Sequence, residues 1–143
     1  MFKKIILALL IVSSGLFAAE VNWAKNYDSA VAKAKKEHKP ILFIISRDTC
    51  RYCIKLDNTT LKDKEVVKKL NSDFVAVRAW LNEGDFVPDF LIRNTPGLPG
   101  IWFLYSDGEP MYRPLLGYLK ASEFSQALNV VVEEYKKDTK VKK

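Results

Sequence analysis

The two cysteines of the chain, Cys50 and Cys53, are separated by two residues and closely follow an apolar segment, residues 40–46. That segment has the composition of a buried strand. Two cysteines spaced in this way at the start of a helix can form a disulfide of acceptable geometry and open it again without unfolding the domain. The pair therefore indicates a thiol–disulfide redox site, with a helix directly after a core strand.

Other uses of the cysteine pair fit the sequence less well. A tetrahedral zinc site needs about four ligands, and the only further soft ligand is His38, within a charged segment. Covalent haem attachment requires a histidine directly after the second cysteine, and that position is Ile54. A structural disulfide stays open as an alternative, although so short a loop gives it little entropic stabilisation. We expect a redox pair with no metal and no cofactor.

The N-terminal segment has the organisation of a secretory leader. Lys3 and Lys4 form a basic start, residues 5–12 are uninterruptedly apolar, and small residues surround a cut after Ala18 or Ala19. We expect residues 1–19 to be a cleaved signal peptide and the protein to be exported, to the periplasm or a similar compartment. A retained membrane anchor is the alternative, but the apolar stretch is shorter than the ~20 residues that span a bilayer.

The length and charge of residues 20–143 are those of one small domain. The formal net charge of +6 falls by two when Lys3 and Lys4 leave with the leader. The tail 136–143 holds five lysines and one aspartate, which we interpret as a solvated, frayed helix end. Because an exported protein rarely meets nucleic acid, we expect no nucleic-acid partner, and we expect a monomer.

The hydrophobic pattern predicts alternating helices and strands. Helices are predicted at 27–37, 50–57 and 62–71 and from Ser122 onwards, and strands at 41–46, 74–81 and 101–105, with a hairpin turn at 106–109 and a returning edge strand at 111–113. Residues 85–94 fit either a short helix or a loop. The order β-α-β followed by β-β-α predicts an α/β fold with a mixed central sheet flanked by helices.

Several motifs give the chain a resemblance to a known superfamily. The Cys-x-x-Cys pair is followed by Thr-Pro-Gly-Leu-Pro at 95–99 before an apolar strand, then by a Ser-Asp-Gly-Glu turn and a closing helix after Gly-Tyr-Leu at 117–119. Together these motifs resemble a thioredoxin-fold protein over residues 23–135. The sequence Thr-Thr-Leu-Lys-Asp-Lys-Glu-Val at 59–66 extends the resemblance to small exported thioredoxin-like proteins and thiol:disulfide interchange proteins. The resemblance implies the thioredoxin fold and a redox function.

The two cysteines are expected to divide the chemistry by position. Cys50 lies at the helix start, where unsatisfied N–H groups and the helix dipole favour a thiolate, whereas Cys53 lies one turn in and is more shielded. We expect Cys50 to attack a protein disulfide and Cys53 to resolve the mixed disulfide. Arg51 either adds positive charge beside the thiolate or is simply exposed to solvent. Arg51 and Tyr52 are expected to contact the substrate.

The resemblance also implies a role for Pro99. In this superfamily a cis-proline lies opposite the cysteine pair, and Leu98-Pro99, just before the strand at 101–105, occupies that place. Leu98 is then expected to pair with an extended substrate segment. Pro96 is a competitor for this position, and an ordinary loop proline is the alternative. Gly100 stands where the family often has threonine, so the local backbone is expected to differ.

Two other positions depart from the thioredoxin pattern. Thr49 replaces the tryptophan that commonly precedes the first cysteine, and Ile44 replaces a buried acid that accepts the proton of the resolving thiol. We therefore expect slower resolution, a narrower set of partners, or another proton relay such as water or Glu83 and Asp85.

Two classes of function follow from this pattern. The first, which we favour, is a thiol–disulfide oxidoreductase that acts as a reductase on a protein disulfide and is recharged by a membrane-bound electron donor. The second is a non-catalytic thioredoxin-fold binding or chaperone-like module whose cysteines form a structural disulfide. The reduction potential of the cysteine pair separates these classes.

Overall fold

The computed structural model describes residues 19–141. The expected leader, residues 1–19, lies outside the described residues except for Ala19. Within residues 19–141, no helix has both the length and the apolar character needed to cross a membrane.

Helices and strands alternate along the described chain. Their order is α1 (Tyr27–Glu37), β1 (Ile41–Ser46), α2 (Arg51–Asn58), α3 (Lys64–Asp73), β2 (Val75–Trp80), α4 (Asp89–Arg93), β3 (Gly100–Leu104), β4 (Leu115–Leu116) and α5 (Ala121–Val141). Short 3₁₀ turns at Thr60–Lys62 and Leu81–Glu83 precede α3 and follow β2.

The strands form one mixed sheet in the order β2-β1-β3-β4. Strand β1 is parallel to β2 and antiparallel to β3, and β3 is antiparallel to β4. All residues of β1 are buried because helices cover both faces of the sheet. The mixed central sheet flanked by helices that the sequence predicts is confirmed.

Successive residues of β1 enter two separate core layers. Leu42 and Ile44 pack in the layer covered by α2, α3 and α5, whereas Phe43 and Ile45 pack in the layer covered by α1 and α4. The loop that carries the cysteines therefore leaves the sheet from its fully buried central strand.

Local hydrogen bonds set the start of α1. The Asn26 side chain accepts a bond from the Ser29 backbone N–H at 2.9 Å, and the Ser29 hydroxyl accepts one from the Asn26 N–H at 3.0 Å. This reciprocal pair is a capping box. The helix ends where His38 adopts a left-handed conformation, with φ of 54°.

The returning strand lies later in the chain than the sequence predicts. The sequence pattern predicts it at 111–113, but regular pairing with β3 occurs at Leu115–Leu116. Pro110 and Pro114 flank the expected segment and have no backbone N–H to donate, so a continuous ladder is not formed there. The Met111 N–H still donates to the Phe103 carbonyl at 2.9 Å, so the predicted edge begins to pair at 111, but its regular ladder lies further along the chain, at Leu115–Leu116.

The ambiguous segment at 85–94 contains the short helix α4, Asp89–Arg93, which begins after Pro88. Proline is tolerated here because the first N–H groups of a helix have no partner within it. The helix lies on the same side of the sheet as α1, where Leu91 is buried.

Candidate functional site

The cysteine pair lies where the chain leaves β1 and enters α2. Cys50 is the N-cap residue of α2, and its sulfur accepts a hydrogen bond from the Cys53 backbone N–H at 3.3 Å. A sulfur in this position faces the N–H groups of the first helical turn, which have no partner within the helix. The Cys50 side chain is half-buried, whereas Cys53 is fully buried. The structure therefore provides one accessible sulfur and one shielded sulfur, both as free thiols.

The surroundings of Cys53 hold its thiol in the protonated form. The pKa of Cys53 is raised from 9.0 to about 11. Burial is the largest cause of this shift, and a hydrogen bond to Cys50 is the second. The backbone of Arg47 and the hydroxyl of Ser46 act in the opposite direction and lower this pKa. Ser46 is itself buried at the end of β1, so a polar group stands beside the shielded sulfur.

The residues between the cysteines are on the surface. Arg51 is exposed, and Tyr52 has 55% of its surface accessible to solvent. Large exposed aromatic side chains beside a reactive group are available for contact with a partner. The exposed position of Arg51 agrees with the interpretation that this side chain is simply in solvent. Its charge lies at the first residue of α2.

The Leu98–Pro99 peptide bond is cis, which confirms the isomer that the resemblance implied. Pro99 is buried and Leu98 is half-buried. The Pro99 carbonyl accepts a bond from the Gly117 N–H at 2.9 Å. Strand β3 begins directly after this proline, and its first residue, Gly100, is paired with Ile45 near the end of β1. The proline and the cysteine loop therefore lie at the same end of the sheet.

A steric constraint explains why the residue after the cis-proline is glycine. A Cβ atom on Gly100 would lie 2.3 Å from Cγ2 of Thr95. The Thr95 hydroxyl donates to the Leu91 carbonyl at 2.6 Å and accepts a bond from the Trp102 indole N–H at 2.9 Å. Because these two bonds hold Thr95 in place, any larger residue at position 100 would collide with it.

The two carboxylates expected as substitutes for the missing buried acid are either bonded elsewhere or exposed to solvent. Ile44 is fully buried in β1 and offers no proton acceptor. Asp85 accepts a bond from the Trp80 backbone N–H at 2.8 Å, and Glu83 is exposed. Neither carboxylate is among the groups that shift the pKa of Cys53.

A charged pair next to Ile44 was missed by sequence reasoning. Arg78 of β2, which is paired in register with Ile44, donates a hydrogen bond to Asp57 of α2. The Arg78 guanidinium lies 4.5 Å from the ring centre of Trp23 and 4.7 Å from that of Trp80. Burial raises the pKa of Asp57, and Arg78 opposes this shift. An arginine within an otherwise apolar strand was the available signal.

No metal site accompanies these groups in the part of the chain that the structure describes. Within residues 19–141, no three His, Cys, Asp or Glu side chains are grouped so as to hold a metal ion.

Comparisons with known proteins agree with this geometry. The C-terminal domain of DsbD from Neisseria meningitidis is 28% identical, with a TM-score of 0.55 over 72% of this chain and 91% of that domain. A thioredoxin from Thermus thermophilus is 23% identical, with a TM-score of 0.65 over 78% of this chain and 87% of that one, which confirms the thioredoxin fold.

Relatives in sequence are matched over shorter stretches. Spermatogenesis-associated protein 20 of Homo sapiens is 33% identical over 58 residues, which are 41% of this chain and only 7% of that protein. Anterior gradient protein 2 of Xenopus laevis is 32% identical over 56 residues, which are 39% of this chain and 30% of that protein. The profile of the thioredoxin-like domain family matches residues 27–131. The chain belongs to the thioredoxin-like domain family.

Proposed function

We propose that the protein is an exported thiol–disulfide oxidoreductase that reduces disulfides of protein partners. One observation carries this proposal: a half-buried Cys50 caps α2 while its partner Cys53 is fully buried. A purely structural disulfide needs no such difference between its two sulfurs. A reductase needs this difference, because one thiol must be accessible to the substrate while the other stays shielded until the mixed disulfide has formed.

The proposed reaction has two exchange steps. The Cys50 thiolate attacks one sulfur of the substrate disulfide, forms a mixed disulfide and releases the other substrate sulfur as a thiolate, which takes up a proton. Cys53 then loses its proton and attacks the Cys50 sulfur, which forms the Cys50–Cys53 disulfide and releases the second substrate thiol. Two electrons pass from the protein to the substrate, one of the two protons comes from the Cys53 thiol, and the other is taken up from the solvent, to which Cys50 lost its own proton.

Substrate contact is assigned to the surface around the half-buried sulfur. Leu98 and Pro99 supply a backbone edge at the cysteine end of the sheet, along which an extended segment can pair. Arg51 and Tyr52 supply exposed side chains at the start of α2. We assign all four residues to substrate binding and only the two cysteines to catalysis.

The proposed cycle requires a source of electrons, which we assign to a membrane-bound donor. The similar DsbD C-terminal domain has been solved in both a reduced and an oxidised form, which supports a domain of this kind passing between the two states. The leader-like sequence of residues 1–19 supports the proposed export. N-terminal sequencing of the exported protein tests the cleavage, which is expected after Ala18 or Ala19.

A redox titration tests the function against a structural disulfide. The protein is equilibrated in buffers of defined thiol–disulfide ratio, and the two cysteines are quantified by alkylation and mass spectrometry. We expect a reversible two-electron couple between about −120 and −270 mV. A value below about −300 mV is typical of a structural disulfide and would favour the binding module instead.

Trapping experiments test the assigned roles of the cysteines. Cys53→Ser keeps the attacking thiol and removes the resolving one, so it should accumulate mixed disulfides with envelope proteins. Cys50→Ser is the matched control and should accumulate none. Equal trapping by the two variants would contradict the division of roles.

A further inference from the structure

A groove runs between α4 and the chain segment that leads into β4. It has a volume of about 780 Å³, and its lining includes Phe90, Arg93, Trp102, Tyr112, Arg113 and Leu116. We call it the α4–β4 groove. None of the residues assigned above to catalysis or substrate binding is part of its lining.

The groove begins beside the cis-proline. Leu116, at one end, is paired with Gly100, and the next residue, Gly117, donates its N–H to the Pro99 carbonyl at 2.9 Å. Pro110, at the other end, forms an antiparallel bridge with Leu104. The five residues of β3 therefore set the length of the groove, about 13–17 Å at the usual rise of a strand. This length accommodates about four or five residues of an extended peptide.

The groove exposes large apolar side chains. Phe90, Tyr112 and Leu116 have 59%, 41% and 46% of their surfaces accessible to solvent. The Phe90 ring also lies 6.3 Å from that of the buried Trp102, so the exposed ring is packed on a fixed base. Exposed apolar groups that line one concave surface indicate an interaction site.

The charges of the groove have a single sign. Arg93 and Arg113 line it, and no carboxylate does. Arg93 contacts Asp89 at 3.2 Å, but both side chains are largely exposed, at 78% and 85%, so this pair is weak. Among the ion pairs of residues 19–141, none includes Arg113. The groove therefore complements an occupant that carries carboxylates between apolar side chains.

We propose that the α4–β4 groove binds an acidic, apolar extended segment of the protein whose disulfide is reduced. The identification of the occupant rests on the proposed function, because the groove continues from the cis-proline at which the disulfide would be held. The apolar side chains of the segment pack on Phe90 and Leu116, and its carboxylates meet Arg93 and Arg113. The groove thus selects among disulfides by the sequence that flanks them.

Peptide binding to the reduced protein tests this assignment. Two fluorescein-labelled peptides of equal length are compared by fluorescence anisotropy, one alternating glutamate with leucine and phenylalanine, the other with lysine in place of each glutamate. We expect the acidic peptide to bind about tenfold more tightly than the basic one, with a preference that falls as salt is added. Equal affinity for the two peptides overturns the proposal.

A charge-reversed double variant locates the binding. R93E/R113E should weaken binding of the acidic peptide about tenfold. K64E/K68E makes the same change of charge at exposed positions of α3, on the other side of the sheet, and should leave the affinity unchanged. An equal effect of both double variants overturns the assignment to the groove. If R93E/R113E does not fold, Arg113→Gln tests the same assignment, and it should weaken binding of the acidic peptide by a smaller factor.

Reduction of a small substrate distinguishes failure of the groove assignment from failure of the redox function. The neutral compound hydroxyethyl disulfide needs the thiols but not the groove. If its reduction fails while selective peptide binding persists, the proposed redox function is wrong and the assignment of an acidic ligand to the groove is supported. Sedimentation of the protein without peptide tests for a second copy as the occupant, and self-association that R93E/R113E abolishes overturns the proposal.

Discussion

Burial of the Cys53 thiol predicts a loss of stability at high pH in the reduced protein. The pKa of this thiol is raised from 9.0 to about 11, chiefly by burial. An acid with a raised pKa holds its proton more tightly in the folded state than in the unfolded state, so rising pH favours unfolding. Stability is therefore unaffected by this group below about pH 9 and falls as the pH rises toward about 11.

The size of the effect follows from the same values. The difference between 9.0 and about 11 corresponds to about 2–3 kcal/mol of unfolding free energy. Little of it is lost to solvent screening, because the Cys53 side chain is 0% exposed. This is a large part of the stability of a domain of this size.

Urea unfolding of the reduced protein measures this loss. The free energy of unfolding is determined between pH 8 and pH 11 in the presence of a phosphine reductant, for the native sequence and for Cys53→Ala. We expect the native sequence to lose about 2–3 kcal/mol more than the variant over this range. Titration of the ¹³Cβ resonance of Cys53 gives its pKa directly.

The control variant for this measurement is Cys50→Ala. It retains the buried Cys53 thiol and removes only the hydrogen bond and charge of Cys50, which are smaller causes of the shift than burial. This variant should still show most of the decrease in unfolding free energy that the native sequence shows at high pH. Parallel pH profiles for the native sequence and Cys53→Ala would refute the reasoning from burial.

Other substitutions test neighbouring contacts. Ser46→Ala removes a hydroxyl that lowers the pKa of the resolving thiol, so that pKa should rise further and release of the mixed disulfide should slow about threefold to tenfold in single-turnover kinetics. Gly100→Ala should lower the unfolding free energy by about 1–3 kcal/mol through its clash with the Thr95 methyl, and Thr95→Ser, which lacks that methyl, should restore most of the loss. Arg78→Met should cost about 1–3 kcal/mol at pH 7 in urea unfolding, because it leaves the half-buried Asp57 carboxylate without its partner. That cost should shrink as the pH is lowered from 7 to 4, because burial raises the pKa of Asp57 and removal of Arg78 takes away the main cause that lowers it. An equal cost at both pH values would contradict this account.

The parts of the fold that the sequence predicts are those governed by neighbouring residues. An apolar run followed directly by the cysteine pair specifies a strand, a loop and a helix start, and the structure contains all three. The sequence pattern places the edge strand too early, because it follows the apolar residues and takes no account of missing backbone N–H donors. Pro110 and Pro114 lack these donors and interrupt the ladder in the segment where the apolar residues predict it.

Contacts between distant positions could not be predicted in the same way. The bond between Arg78 and Asp57 depends on the packing of α2 over β2, two elements that are 21 residues apart along the chain at this contact. The clash that requires glycine at position 100 depends on where Thr95 is held. The cis state of Pro99 was predicted from the superfamily resemblance rather than from local pattern, since either isomer satisfies the same sequence.

The hydrogen bonds around the two thiols bear on the order of the proposed steps. While Cys50 is free, its hydrogen bond and its charge are among the causes that raise the pKa of Cys53. Once Cys50 is joined to a substrate sulfur, its negative charge is gone and these two contributions are removed. The Ser46 hydroxyl and the Arg47 backbone, which lower the pKa, remain in place. Formation of the mixed disulfide should therefore itself promote ionisation of Cys53, so that the resolving thiol becomes reactive only after the first step, without a carboxylate at position 44.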